Sequence, residues 1–464
     1  MRRYTTLLVA VLVTVLVAAC SGAGSTTTTT EAAEPTTSST SVSGSTTPAT
    51  TGDSSPLDSR LQWFAEALSR GEVSESEYEA SFTRDFLDAV PYDEFVAGLS
   101  QLGGGGQLAW RVGEFEERQD VSAVVLMVSD AGDALRAHMN IENVAPYRIS
   151  GLLLQPAEPP TLEDPPTTLD EAADRLAGLG TSQLAVYEVT DGQCSPVFES
   201  GTGEPMPIGS AFKLYVLGAL SDAVAAGDLA WDNEIPITEE HRSIPTGVLQ
   251  DEEAGATFSV RQVAETMIAF SDNTGTDHLI ALVGREQVEA AFERYGMEDP
   301  SLNIPLMDTM DLTALKLGPA SGLAEQWIAA DEDGRRQILE QISDIHPDDI
   351  PLGEWDRPIH IDTIEWFATT ADMCRVLVAL HEHGEPVTNI LSINPGTPDE
   401  DEKYEAIYFK GGSEVGLTAM NWLVERPDGR RFVVSGSVYD TEADIDQLEA
   451  TLLFGAVRDL VADL

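Results

Sequence analysis

Thirteen residues, PAEPPTLEDPPTT from Pro156 to Thr168, divide this chain, because five of them are prolines and three are acidic. A proline offers no amide hydrogen to a helix or a ladder, so no continuous element passes through the segment. At 464 residues the sequence also exceeds what one hydrophobic core usually organises. Two bodies are therefore expected, residues 57–155 and residues 169–464, joined by a linker over 156–168.

The first body opens with LQWFAEALSRGEVSESEYEASFTRDFLDAV and PYDEFVAGLSQL, whose apolar residues return at helical spacing with a break at Gly71. GQLAWRVGEFEERQ, VSAVVLMVSD, DALRAHMNIE and YRISGLLLQPAE follow, and these alternate or run apolar as antiparallel strands do. Helices first and strands afterwards make a small α+β domain. That order resembles the cone-shaped, NTF2-like fold of nuclear transport factor 2 and the steroid isomerases. Trp110 and His138 read as core or sheet-face residues rather than as a pocket.

Upstream, MRRYTTLLVAVLVTVLVAAC sets Arg2 and Arg3 before an apolar run and ends on small residues and Cys20, the pattern of a secretory signal peptide over residues 1–20. VAAC resembles the lipobox of bacterial lipoproteins. That implies a diacylated, palmitate-bearing Cys20 and a lipid anchor at the extracytoplasmic face of the cell membrane. The plainer alternative is ordinary cleavage after Ala19, with Cys20 incidental. Residues 21–56 are rich in Ser and Thr and have almost no large apolar side chain to offset the entropy of ordering, so they read as a disordered tether. The balance of 26 basic against 79 acidic residues, a net charge of -53, opposes nucleic-acid binding. With Cys20 assigned to lipid, Cys194 and Cys374 remain, 180 residues apart, either to bridge in an exported protein or to stay as two buried thiols.

In the second body LDEAADRLAGL reads as a helix and SQLAVYEVTDGQCSPVFES as a strand pair, after which helical patterns run on to ATTADMCRVLVALH. IYFKGGSEVG, TAMNWLVERPDGRRFVVSGSV and IDQLEATLLFGAVRDLVADL close the chain as strands and a helix. The expectation is a sheet whose edges come from both ends of this body, with a cleft between it and the helical part.

Three short segments carry chemistry. PIGSAFKLYVLGAL places Ser210 and Lys213 one helical turn apart on one face. A lysine takes a proton from a hydroxyl only as a neutral amine, which burial favours, and Phe212, Leu214, Tyr215, Val216 and Leu217 supply the bulk. The plain alternative is a capping serine beside a solvated lysine. FSDNTGTD sets Ser271, Asp272 and Asn273 between two helical runs, where a hydroxyl can relay a proton and an amide can orient a carbonyl, or where the segment simply caps a helix. YFKGGSEVG puts Lys410 on a strand before Gly411 and Gly412, so that a cation borders a strand edge left open to a peptide-like backbone; an ordinary bulge is the alternative.

In this order SAFK, SDN and KGG resemble the SxxK, SDN and KTG signature of penicillin-binding proteins and class A β-lactamases, and WFATTADMCRVL looks like a helix of the same enzymes. The resemblance covers residues 170–464. Together with the small domain before it, it extends to the two-domain β-lactamase-like protein of clavulanic-acid clusters and related actinobacterial lipoproteins. It implies a class A β-lactamase-like α/β serine hydrolase domain after the NTF2-like α+β domain. Carried over, Ser210 is the nucleophile, Lys213 its base, Ser271 the proton shuttle and Lys410 the source of positive potential. Asn273, Gly411, Gly412 and Ser413 hold the substrate, with the amides of Ser210 and Ser413 facing the oxyanion. No metal or cofactor enters that scheme.

Two departures qualify it. Gly411 stands where the family commonly has Thr, which removes a hydroxyl that binds a substrate carboxylate. For the glutamate that activates water in the class A E-x-E-L-N loop, DPSLN offers Asp299, one methylene shorter, with Glu298 behind it; a turn beside a short strand is the alternative. The resemblance thus implies acyl transfer from a small-molecule acyl donor (amide, β-lactam or ester) or a peptidoglycan fragment. Weak rather than efficient β-lactamase activity is expected, with the β-lactam catabolism and response to antibiotic that go with it. A D,D-peptidase and a catalytically inert peptidoglycan- or protein-binding lipoprotein are the alternatives.

Overall fold

The computed structural model describes residues 55–102, 110–129, 134–157, 160–352, 355–397, 399 and 402–464. The expected signal peptide, Cys20 and residues 21–54 of the expected tether lie outside the described residues.

Ser55 caps the first helix, Pro56–Arg70, in a capping box with Asp58, and Gly71 ends it in the left-handed region. Leu57, Leu61, Phe64 and Leu68 make its buried stripe, which packs in one core with Val125, Met127, Ala137 and Met139. Shorter helices Glu75–Ser81, Arg84–Ala89 and Tyr92–Leu102 complete the helical layer. The strands Trp110–Arg118, Ser122–Ser129, Ala134–Ile141 and Ile149–Ala157 pair in that order as an antiparallel meander. This sheet is open. The α+β character stands, while a closed NTF2-like cone is not what these four strands form.

In the second body the strands Ala406–Glu414, Leu417–Glu425, Arg431–Tyr439, Thr181–Thr190 and Gln193–Ser200 form one antiparallel sheet in that spatial order. One edge therefore comes from the end of the chain and the other from the start of the body. Leu417–Glu425 and Arg431–Tyr439 are buried over nearly their whole length, because the sheet is covered on both faces. Helices Leu169–Leu179 and Gln447–Val461 cover one face through Leu176, Leu453, Phe454 and Val457. The helical part covers the other, with Phe212, Leu217 and Val378 sharing a core with Tyr187, Leu423 and Val433. A disulfide joins Cys194 on the edge strand Gln193–Ser200 to Cys374 on helix Thr370–Glu382, which decides between the two fates open to these cysteines.

Candidate active site

Gly209 takes a φ of 50° and lets the chain turn sharply at Gly209–Phe212 before it enters helix Lys213–Ala226. Every residue from Lys213 to Ser221 is buried, as befits a helix that is apolar on all sides and runs through the centre of its body. Ser210 stays half-buried at the turn and lines a cavity of about 1080 Å³, while Lys213 is carried fully inside.

Lys213 Nζ donates to the Ser271 carbonyl at 2.6 Å, the Ser271 hydroxyl at 3.2 Å and Asn273 Oδ1 at 2.6 Å. Ser271 sits between helices Val260–Ala269 and Asn273–Val283 at a φ of 55°, a strained conformation for a residue with a side chain. The neighbouring Asp272 holds that bend: its carboxylate accepts from the amides of Val248, Leu249 and Gly275 at 2.6, 2.8 and 2.6 Å. Gly247 lies so close to Asp272 that a Cβ there would collide with the carboxylate. From the strand Ala406–Glu414, Lys410 Nζ donates to the same Ser271 hydroxyl at 3.0 Å and to the Gly411 carbonyl at 2.8 Å. One hydroxyl thus lies between two lysines.

Burial lowers the Lys213 pKa to about 7, and the charges of Asp272 and Asp277 pull it part of the way back. Burial, and then the charge of Lys213, hold Lys410 well below the ordinary lysine range. The hydroxyl within reach of Lys213 is that of Ser271, and the lowered pKa favours the neutral amine that taking a proton from a serine requires.

The same strand runs against the Ser210 turn. A Cβ on Gly412 would collide with the Ile208 carbonyl and stand 2.6 Å from the Ser210 nitrogen, and one on Gly209 would stand 3.1 Å from the Ser413 nitrogen. Glycines at both positions let the amides of Ser210 and Ser413 adjoin, the arrangement that stabilises an oxyanion. At Gly411 a Cβ would stand 2.9 Å from the Phe409 ring. The room a threonine would use is taken by an aromatic side chain.

Ser210, Lys213, Ser271, Asn273, Lys410, Gly411, Gly412 and Ser413 are therefore brought together. Asn273 differs from expectation in one respect: its Nδ2 donates to the Ile244 carbonyl at 2.7 Å while Oδ1 takes Lys213, so both ends of the amide are occupied inside the protein. Asp299 is not brought to the cleft. It is exposed, caps the turn Pro300–Asn303 by accepting from the Ser301 amide at 3.0 Å, and does not line the cavity. Asn303 is buried and pins the Phe367 backbone through both ends of its amide, at 2.8 and 2.8 Å.

A second cluster was not anticipated. Lys316, on helix Thr309–Lys316, lies 3.4 Å from Glu365 and 2.5 Å from Glu414; Lys316 and Glu365 are buried, and Glu414 is half-buried with its side chain nearly covered. Glu365 also accepts from the Trp366 amide at 2.9 Å and from the amide of Gly209, next to Ser210. Glu414 directly follows Ser413, and its Oε2 has no hydrogen-bond partner among the described residues. Burial raises both carboxyls, Glu414 to about 8, with Lys316 opposing the shift. Both line the same cavity as Ser210. The signal available in sequence was slight: one acid inside the apolar run IEWF and one lysine ending MDLTALK.

Residues 169–382 match the beta-lactamase enzyme family. The matched stretch holds Ser210, Lys213, Ser271 and Asn273 and ends before Lys410. Among solved structures, a beta-lactamase from Sphaerobacter thermophilus DSM 20745 is 20% identical with a TM-score of 0.45, over 62% of this chain and 93% of that one. A structure of PBP-A is 17% identical with a TM-score of 0.41, over 65% and 97%. A beta-lactamase from Chitinophaga pinensis DSM 2588 is 17% identical with a TM-score of 0.41, over 63% and 97%. No curated protein matches the sequence.

Proposed function

We propose that this chain is an exported serine hydrolase, lipid-anchored through Cys20, which takes an acyl group from an amide, β-lactam or ester onto Ser210 and passes it to water. The observation that carries this is the Ser271 hydroxyl held 3.2 Å from Lys213 and 3.0 Å from Lys410, both buried, beside the turn that bears Ser210.

In this scheme Ser210 Oγ bonds to the carbonyl carbon of the donor while its proton passes to neutral Lys213. The carbonyl oxygen gains the electron pair and faces the Ser210 and Ser413 amides, a kind of contact worth about 10²–10³ in rate per donor. Ser271 hands the proton from Lys213 to the leaving nitrogen or oxygen as the bond from carbon to that atom breaks. Water then adds to the acyl-enzyme, the bond from carbon to Ser210 Oγ breaks, and the serine regains its proton. Lys410 keeps the Ser271 side of the site positive. With Asp299 at the surface, slow release of the acyl group and weak β-lactamase activity are expected. The two-domain lipoprotein type, placed outside the cell membrane, belongs to the same proposal.

The test is intact-mass detection of adducts with a fluorophosphonate and with a fluorescent penicillin. One adduct is expected on the wild type and none on Ser210→Ala. A folded wild type that takes no adduct from any acyl donor overturns the proposal and leaves an inert binding lipoprotein.

A further inference from the structure

The cavity over Ser210 is not bounded by the second body alone. Trp63, on helix Pro56–Arg70, and Val112 and Phe115, on strand Trp110–Arg118, line it together with Ser210 and Lys410. Trp63 is held in place from behind: its Nε1 donates to Glu77 Oε1 at 2.8 Å, and the same oxygen takes Arg70 Nη2 at 2.6 Å. Arg70 Nη1 crosses to the second body and meets Asp251 at 3.2 Å. Asp251 ends the turn Leu249–Asp251, whose Leu249 amide is bound by Asp272, the neighbour of Ser271. Contacts therefore run without a break from an aromatic ring of the first body to the loop that positions the proposed proton shuttle.

The lining also says what kind of group belongs there. Phe409 fills the space over Gly411 and itself lines the cavity, so an apolar ring stands where the resemblance would put a hydroxyl for a carboxylate. Charges of both signs line the same space, Asp58 (paired with Arg118 at 2.7 Å), Glu66 and Asp356 against Arg111 and Lys410, so what distinguishes the first body's side of the cavity is its aromatic surface. At about 1080 Å³ the cavity lies just above the range usual for compact ligands, on the order of 300–1000 Å³, and it has walls from both bodies, so it has room for an aromatic group beside the reacting carbonyl.

We propose that the first body supplies the specificity wall of the cleft, with Trp63 and Phe115 selecting a donor whose acyl group ends in an aromatic ring, and with the Arg70–Asp251 pair fixing that wall relative to Ser210. The word acyl rests on the hydrolase reading; the aromatic preference does not. Two readouts on the full chain keep them apart. Binding of unreactive phenylacetamide against acetamide, by ligand-observed NMR, reports the wall, and turnover of phenylacetate against acetate chromogenic esters reports the wall and the chemistry together.

The wild type should favour the phenyl compound roughly 10-fold or more in both readouts. Phe115→Ala should cut that preference at least about 5-fold, and Trp63→Ala further. Trp63 also packs edge-on against Phe82 at 5.8 Å, so Phe115→Ala, at a half-buried position, decides the matter if the tryptophan variant does not fold. Asp251→Asn should lower the preference and Asp251→Glu should retain it. Equal ratios in the wild type and Phe115→Ala, or no binding of either amide by the wild type, overturn the wall. A Ser210 adduct without aromatic preference removes the wall and keeps the hydrolase; the preference without an adduct does the reverse.

Discussion

Two clusters flank the Ser210 turn, one with a surplus of amines and the other with a surplus of carboxyls. In one, Lys213 and Lys410 close on the Ser271 hydroxyl at 3.2 and 3.0 Å, and among the described residues no carboxylate bonds directly to either amine. In the other, a single Lys316 serves Glu365 and Glu414 at 3.4 and 2.5 Å. Burial acts on both in the same way, by penalising charge, and so yields opposite chemistry: amines pushed down in the first, carboxyls pushed up in the second. The strand Ala406–Glu414 joins them, since Lys410, Gly412 and Glu414 share one of its faces, with Lys410 and Glu414 about 13 Å apart along it. Burial thus brings an amine and a carboxyl that ordinarily titrate far apart to about 7 and about 8 on either side of the Ser210 turn, where both change protonation near neutral pH. A single strand presents a base-side and an acid-side wall to the same turn.

The comparison breaks most visibly at Lys213. Lys213→Ala removes the base and leaves the Ser271 and Asn273 oxygens without their amine, so acylation of Ser210 should fall about 10³-fold in a rapid-mixing assay with a chromogenic ester. Lys213→Arg should fall about as far, because a guanidinium does not become neutral at working pH. Retention of most of the rate in either variant would move the base elsewhere. In the second cluster the effect should appear in stability. Lys316→Met leaves Glu365 and Glu414 without their cation, which should cost about 3–5 kcal/mol in urea unfolding at pH 9, where Glu414 is ionised. The loss should be smaller at pH 6, below the raised pKa of Glu414, because burial favours the protonated form of both carboxyls. A variant as stable as the wild type at both values would mean that Lys316 does not neutralise the pair.

How much of this was legible in the sequence follows the same division. The lysine-rich cluster was readable because each member announces itself locally: Ser210 and Lys213 share a helical turn, apolar neighbours foretell burial, and Ser271 precedes a helix start. The carboxylate cluster was not, because its contacts join residues 49 and 98 positions apart and no local period records them. MDLTALK belongs to helix Thr309–Lys316, with Asp308 and Asp311 closing a capping box. Asp299 fails for the complementary reason. Its spacing to Asn303 fits a loop motif, but spacing does not fix direction, and the carboxylate turns to the surface to cap Pro300–Asn303. The Cys194–Cys374 bridge spans 180 residues, and the wall from the first body depends on how two cores dock; neither leaves a local trace.

The finest test of the contrast is Glu414→Gln, which keeps the shape and removes the titration. Glu414 is pushed up to about 8 by burial, so at neutral pH it holds a proton and the second cluster has no net surplus. Above that pH it ionises one residue from Ser413, and the new negative charge opposes the oxyanion forming at the Ser413 amide. Lys213 works in the other sense, because it is protonated and inactive as a base below about 7. Acylation by the wild type should therefore rise through about pH 7 and fall again above about pH 8, by a few-fold to 10-fold. In Glu414→Gln the rising limb should stay and the falling limb should vanish. Stability carries the same signature: a carboxyl raised from 4.5 to about 8 on folding holds its proton in the native state and gives it up in the unfolded one, so its contribution is full below 4.5 and is lost as pH rises towards 8. The glutamine variant should lack that downward slope in unfolding free energy between those values. If its pH–rate profile keeps the alkaline limb of the wild type, the acid-side wall plays no part at the oxyanion and only the lysine cluster governs the chemistry.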